Sequence, residues 1–220
     1  MKLVPEFLKQ IERGPTTIFR GHADSSWKAV PSIGRNFSKD WATVLDKEKA
    51  ILQEFKNRSI AFLQVTPKTD IDWLCLMQHH GCPTRLLDYT LNPLIALFFA
   101  SDPTVDNDGE VIVAKYKRSE VSVPDNGLFE IKDAFAYHPP HITNRISGQS
   151  GCFVCSAKPN SPLRSAGQKE ITIPSKNKVR IRKELSILGI SYSSIFPGLD
   201  GICEDLRDTI VSDLELEDLF

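Results

Sequence analysis

The chain has 220 residues, 41% of them apolar and 25% charged, enough apolar material to bury the core of one domain. A formal net charge of −1 excludes the strong non-specific attraction to nucleic acid that a basic protein has, and leaves only a local patch for that purpose. No apolar run reaches about 18 residues and no basic-then-apolar leader is present, so neither a membrane span nor a signal peptide is expected, and five cysteines fit the reduced thiols of a cytoplasmic protein.

Val4, Phe7, Leu8 and Ile11 recur at helical spacing and predict a first helix over 4–12, which Gly14-Pro15 stops before a strand over 16–20. A long amphipathic helix is expected over 43–65, and a more apolar one over 72–80, ended by Gly81 and Pro83. A polar connection then runs to Thr90. Asn92 and Pro93 supply an N-cap and first turn for a helix over 94–100 that is apolar all round and must be buried. Strands over 111–116, 151–156 and 170–173, a helix over 175–188 and a terminal helix over 199–210 complete the reading. Helices before and between short strands, without a regular βαβ repeat, predict an α+β fold. We expect one domain over 1–220, with a small mixed or antiparallel sheet, several flanking helices and an acidic tail over 212–220 that frays or docks. Cys152 and Cys155, three apart in a strand, fall on opposite faces and read as structural; no metal is expected. Lys176, Lys178, Arg180, Arg182 and Lys183 read as a solvated helix face.

Two stretches concentrate polar chemistry. The first is Thr16-Thr17-Ile18-Phe19-Arg20-Gly21-His22, where an arginine ends an apolar strand and a glycine permits close backbone approach. Arg20, Gly21 and His22 are candidates for holding a phosphate or carboxylate, although Arg20 paired to Asp88 in a structural role would look the same in sequence. The second is His79-His80-Gly81-Cys82-Pro83-Thr84-Arg85-Leu86-Leu87-Asp88-Tyr89-Thr90, a dense polar loop between two core-forming helices. His79 and His80 follow a helix, so at most one faces inward. Thr84, Arg85, Asp88 and Thr90 are candidate ligand contacts, with Asp88 accepting from a ribose hydroxyl or orienting Arg85; satisfying the loop's own groups is the alternative. Gln149, near Arg145 and ahead of Gly151, offers a neutral amide suited to a planar ligand or to a neighbouring loop.

Phe19-Arg20-Gly21, then 78–90, 92–100, Arg145-Ile146-Ser147-Gly148-Gln149-Ser150-Gly151-Cys152-Phe153, and finally Leu188-Gly189-Ile190 with 195–201, occur in the order that resembles the FRG domain family, over about 16–206. Gln168-Lys169-Glu170 before Ile171-Thr172-Ile173-Pro174 resembles the catalytic glutamate segment of ADP-ribosyltransferases. Phe19-Arg20-Gly21 is similar to their first-strand arginine, and 90–100 to their second segment, without its Ser-Thr-Ser. The resemblance implies an ADP-ribosyltransferase-like core and NAD as substrate, with Arg20 gripping the pyrophosphate and Glu170 stabilising the oxocarbenium-like state as the nicotinamide–ribose bond breaks. It also implies a macromolecular acceptor, protein or nucleic acid, and a role as a bacterial defence or toxin effector.

Two other readings stand beside it. In one, Arg20, Arg85 and Gln149 capture a phosphorylated ligand without turnover, a nucleotide-sensing module that Glu170 facing solvent would favour. In the other, His79 or His80 works with Asp88 to cleave phosphodiesters; His80 is the histidine we take as a catalytic candidate beside Glu170 and Arg20. Every version requires Phe19-Arg20-Gly21 and the 84–90 segment to meet in space.

Overall fold

Short runs rich in β-branched and aromatic residues make six strands among the described residues: β1 (Thr17–His22), β2 (Leu86–Thr90), β3 (Gly109–Lys115), β4 (Phe135–Tyr137), β5 (Gly151–Cys155) and β6 (Lys169–Ile173). They form one antiparallel sheet in the order β4-β5-β2-β1-β3-β6. The computed structural model describes residues 2–12, 14–35, 41–117, 127–139 and 147–217, with the backbone alone at 41–43 and 209–217.

The helices are α1 (Leu3–Leu8), α2 (Ser32–Arg35), α3 (Trp41–Ser59), α4 (Asp70–His79), α5 (Pro93–Ala100), α6 (Lys178–Ile187), α7 (Tyr192–Ile195) and α8 (Leu199–Glu217). Their starts follow local chemistry. Thr69 and Asp72 form a capping box at α4, and the Asn92 side chain accepts from the Leu94 amide at 2.9 Å to open α5. Glu184, on α6, accepts from the amides of Lys2, Leu3 and Val4, caps α1 from a distance of some 180 positions, and is held at a pKa of about 2: burial pushes it up, but three N–H donors outweigh that.

The register shows which side chains share a face. Phe19 lies opposite Thr90 and Val113, and Leu86 opposite Cys155, so all five project from one side of the sheet. Over β1, β3 and β6 this side is covered by α1, α5 and α6, with Phe7, Phe98 and Leu185 in the core. Over β2, β5 and β4 it is covered by α3 and α4, with Leu52, Leu74 and Met77. A furrow is left between the two covers, above the junction of β1 and β2. The opposite side packs Ile18, Leu87, Ile112 and Val154 against irregular segments carrying Ala29 and Leu163.

The α+β class is as expected, and the sheet is wholly antiparallel. The stretch read as a polar loop is different: its second half, Leu86–Thr90, is an inner strand in which only Asp88 is exposed. The irregular part runs through Arg85, and Leu86, Leu87 and Tyr89 are buried on both faces as an inner strand requires. Sequence periodicity missed β4, which has only three residues, and α8 runs on to Glu217 through much of the acidic tail, whose last residues, 218–220, lie outside the described residues. Cys152 and Cys155 do sit in cores on opposite faces, where burial raises each thiol to about 12. Of the basic cluster, Lys178 is buried and donates to the carbonyls of Ala23 at 2.8 Å and Val105 at 2.6 Å, so it fastens two loops instead of facing solvent. No helix among the described residues is long and apolar enough to cross a membrane.

Candidate functional site

β1 pairs with β3 along its full six residues, but with β2 through the single pair Phe19 and Thr90. Beyond that pair the two strands part, and the Arg20 side chain enters the gap. Its Nη1 donates to the Asp88 carbonyl at 2.6 Å, supplying the hydrogen bond that a neighbouring strand would otherwise make. Its Nε donates to His22 Nε2 at 2.8 Å. The arginine at the end of β1 and the 84–90 segment therefore meet, as every version of the site requires.

Both of these acceptors are uncharged, and among the described residues no carboxylate is in ion-pair contact with Arg20. His22 stays neutral: burial first, then the charges of Arg20 and Arg35, hold its pKa near 4. Since Nε2 accepts from Arg20, the ring proton is on Nδ1, which faces Glu110 at 3.6 Å. Burial lowers the pKa of Arg20 itself; Asp88 opposes that and Arg35 adds to it, yet an arginine remains a cation at neutral pH. Arg35, which sequence reading overlooked, is exposed at the end of α2 and strengthens the positive field here.

Above this guanidinium the furrow deepens into a cavity of about 260 Å³. Its walls are aromatic and aliphatic: Phe19, Tyr89, Ile95, Phe99 and Phe153. The polar lining comes from Arg20, Gln78, His79, Asp88, Thr90 and Gln149. Gln78, in the last turn of α4, donates from Nε2 to Asp88 Oδ1 at 2.8 Å and accepts a short hydrogen bond from the Thr84 hydroxyl. That relay aims the Asp88 carboxylate, the one carboxylate of the lining among the described residues. Thr90 holds two backbones together, accepting from the Asn92 amide at 3.0 Å and donating to the Gln149 carbonyl at 2.7 Å.

The expected residues divide. Arg20, Gly21, Asp88, Thr90 and Gln149 line the cavity. Gly21 has a further duty: a Cβ there would overlap the Ala96 carbonyl oxygen and stand 2.8 Å from the Ala100 nitrogen, so the close approach it permits is that of α5. His79 faces the cavity and His80 does not, which corrects the choice of His80; the terminal turn of α4 points only the first of the pair inward. Thr84 is fully buried and reaches the site only through Gln78. Arg85 is no ligand contact: it is 1% exposed and bound by the Glu48 carboxylate at 2.6 and 2.9 Å, because a fully buried guanidinium needs its own counter-charge. His22 also stays behind Arg20 and outside the lining.

Glu170 stands apart as well. It follows Arg20 and Ile112 along one cross-strand row, two strands from Arg20, on the face opposite Phe19 and Ile171. Its side chain is 40% exposed at the β6 edge, accepts from Gln168 Nε2 at 2.9 Å and approaches Arg164 at 3.3 Å. It does not line the cavity. Arg145 lies outside the described residues, and among them no three His, Cys, Asp or Glu side chains gather as a metal site would need.

His79, an expected alternative to His80, lines the cavity, and Phe19, Gln78, Tyr89, Ile95, Phe99 and Phe153 complete the lining without having been singled out for it. Only Gln78 and His79 carried a signal, as polar residues closing an apolar helix whose other turns are buried. Set against known proteins, residues 15–109 match the FRG domain family, a stretch that takes in Phe19-Arg20-Gly21 and everything through α5 but not Gln149 or the later segments. Comparison with curated proteins and with solved structures returned no significant match.

Proposed function

We propose, from the FRG domain in residues 15–109 and the cavity it carries, that this chain binds NAD or a closely related nucleotide and transfers its ADP-ribosyl group to a macromolecule. The observation that carries the reading is Arg20, a half-buried cation held by two neutral acceptors and open to the cavity. A desolvated guanidinium without a carboxylate partner is costly unless an anion arrives, and its planar fork suits a pyrophosphate. Phe19, Tyr89, Phe99 and Phe153 offer flat apolar surface for a ring. The sequence resemblance to ADP-ribosyltransferases, through Phe19-Arg20-Gly21 and the 90–100 segment, is what suggests NAD as the ligand.

The carboxylate available to the chemistry is Asp88, not Glu170. When the bond between the anomeric carbon and nicotinamide breaks, its electron pair leaves with nicotinamide and positive charge grows on the ribose. A carboxylate aimed by Gln78 stabilises that charge and takes the proton of the incoming acceptor hydroxyl. The exposure of Glu170 favours one second reading, a module that binds the nucleotide without turning it over.

Nicotinamide release from NAD, with and without cell lysate, tests both. Release that is lost in Arg20→Met and Asp88→Asn but survives in Glu170→Gln supports transfer through this cavity. Binding of NAD without release supports the sensing module, and absence of binding refutes both.

A further inference from the structure

Gln149 occupies a position that the proposed chemistry does not use. It precedes β5 in a turn fixed at several points: the Ser150 amide donates to the Ser147 carbonyl at 3.0 Å, the Leu91 amide donates to the Ser150 carbonyl at 3.0 Å, and Thr90 holds the Gln149 carbonyl at 2.7 Å. Ser150 takes φ 43, a left-handed conformation that a serine adopts only where its surroundings impose it. Gly148 packs so closely on the α7 segment that a Cβ would lie 2.8 Å from the Ser194 carbonyl oxygen. The side chain of Gln149 is thus presented to the cavity from a rigid base.

Its amide nitrogen is buried and has no hydrogen-bond partner among the described residues. An orphan donor of this kind costs stability in the empty protein, and such groups are uncommon unless something else satisfies them. Here the open side is the ligand cavity, whose aromatic lining includes Phe153, on the strand that follows Gln149. A ring lying on the aromatic wall would bring its substituent to Gln149. A primary carboxamide presents a carbonyl to the Gln149 N–H₂ and an N–H₂ to its carbonyl, so the two amides pair reciprocally.

We propose that Gln149 determines specificity by pairing with a carboxamide carried on the ring of the bound nucleotide. This rests on the reading of the cavity as a site for NAD and names the end of NAD that lies there, the nicotinamide. A nucleobase carbonyl is the competing acceptor, and the experiment separates the two.

The test is calorimetric titration of the whole chain with NAD, with its analogue bearing hydrogen in place of the carboxamide, and with GDP as a base-carbonyl nucleotide. Wild type is expected to bind NAD about 10-fold or more tightly than the analogue. Gln149→Leu should lose that preference while binding the analogue as well as wild type does, and Gln149→Glu, which replaces the donor by an acceptor, should lose it also. Because Gln149→Leu removes the orphan donor, its ligand-free melting temperature should equal or exceed that of wild type. Equal affinity of wild type for NAD and the analogue, a preference that survives in Gln149→Leu, or tighter binding of GDP than of NAD that depends on Gln149 overturns the assignment and leaves the cavity reading intact. Binding of none of the three overturns both.

Discussion

Gly21→Ala is the sharpest test of how the sheet and site are joined. The added methyl would overlap the Ala96 carbonyl oxygen, and would meet the Ala100 nitrogen at 2.8 Å and the Phe99 Cβ at 2.9 Å. Ordinary contact needs about 3.5 Å, so α5 must lift off β1 by on the order of 1 Å. The helix cannot yield cheaply, because Ile95, Ala96, Leu97, Phe98 and Ala100 are all buried in the core shared with α1 and α6. Overpacking against buried backbone belongs at the high end of the usual range, about 3 kcal/mol. For a chain of this size that lowers the melting temperature by roughly 6–12 °C. The same displacement moves Ile95 and Phe99, two walls of the cavity, so nucleotide binding should weaken together with stability. Urea unfolding followed by circular dichroism measures the first effect and a binding titration the second. Gly14→Ala is the control: its Cβ would meet nothing nearer than 3.6 Å, and it should change stability by less than about 0.5 kcal/mol. A Gly21→Ala protein as stable as wild type would refute the packing described for β1 and α5.

Three further outcomes follow from the buried charges. Glu48→Gln leaves Arg85 buried without its counter-ion and should cost about 3–5 kcal/mol in urea unfolding; a loss under 1 kcal/mol would mean that Arg85 finds another partner. His22 takes up its proton near 6.5 in the unfolded chain and near 4 in the folded one, so the unfolded state binds more protons between those values and stability falls as pH drops through that window. The loss should approach about 3 kcal/mol and should disappear in His22→Gln above the carboxylate range; a His22→Gln profile that falls as steeply as wild type between pH 6.5 and about 5 would exclude His22 as its source. Glu184, held near 2, contributes stability that is complete above its ordinary carboxylate range and lost as pH falls from about 4.5 toward 2; Glu184→Gln should free the first turn of α1, seen as faster amide exchange at Leu3 and Val4.

Much of this architecture is legible in sequence because local chemistry and burial agree. Asn92-Pro93 ahead of an unbroken apolar run predicts α5 and its burial, and Gly14-Pro15 sets the start of β1 within a residue. β2 was hidden because glycine and proline punctuate the segment before it and Asp88 interrupts its apolar run, so a buried strand looked like a continuing loop. The site was legible in part for the same reason. Arg20, Asp88 and Gln149 stand out as polar residues beside apolar strands, and the cavity does gather them. Arg85 carries the same sequence signal, but its fate depends on Glu48, 37 positions earlier on α3, a partner that no local pattern identifies. Glu170 was placed by motif alone. Which face of β6 it takes follows from the register with β3, and that register puts Ile171 toward the core and Glu170 away from it.

The central claim is that Arg20 holds the phosphates of a nucleotide in the cavity between α4 and α5. Equilibrium dialysis of radiolabelled NAD against wild type and Arg20→Met, at about 50 and 300 mM salt, tests it most directly, with a melting curve to show that the variant is folded. The account predicts saturable binding by wild type that weakens with salt, and at least about a 10-fold loss in Arg20→Met. Binding by a folded Arg20→Met that equals wild type at both salt concentrations would contradict it.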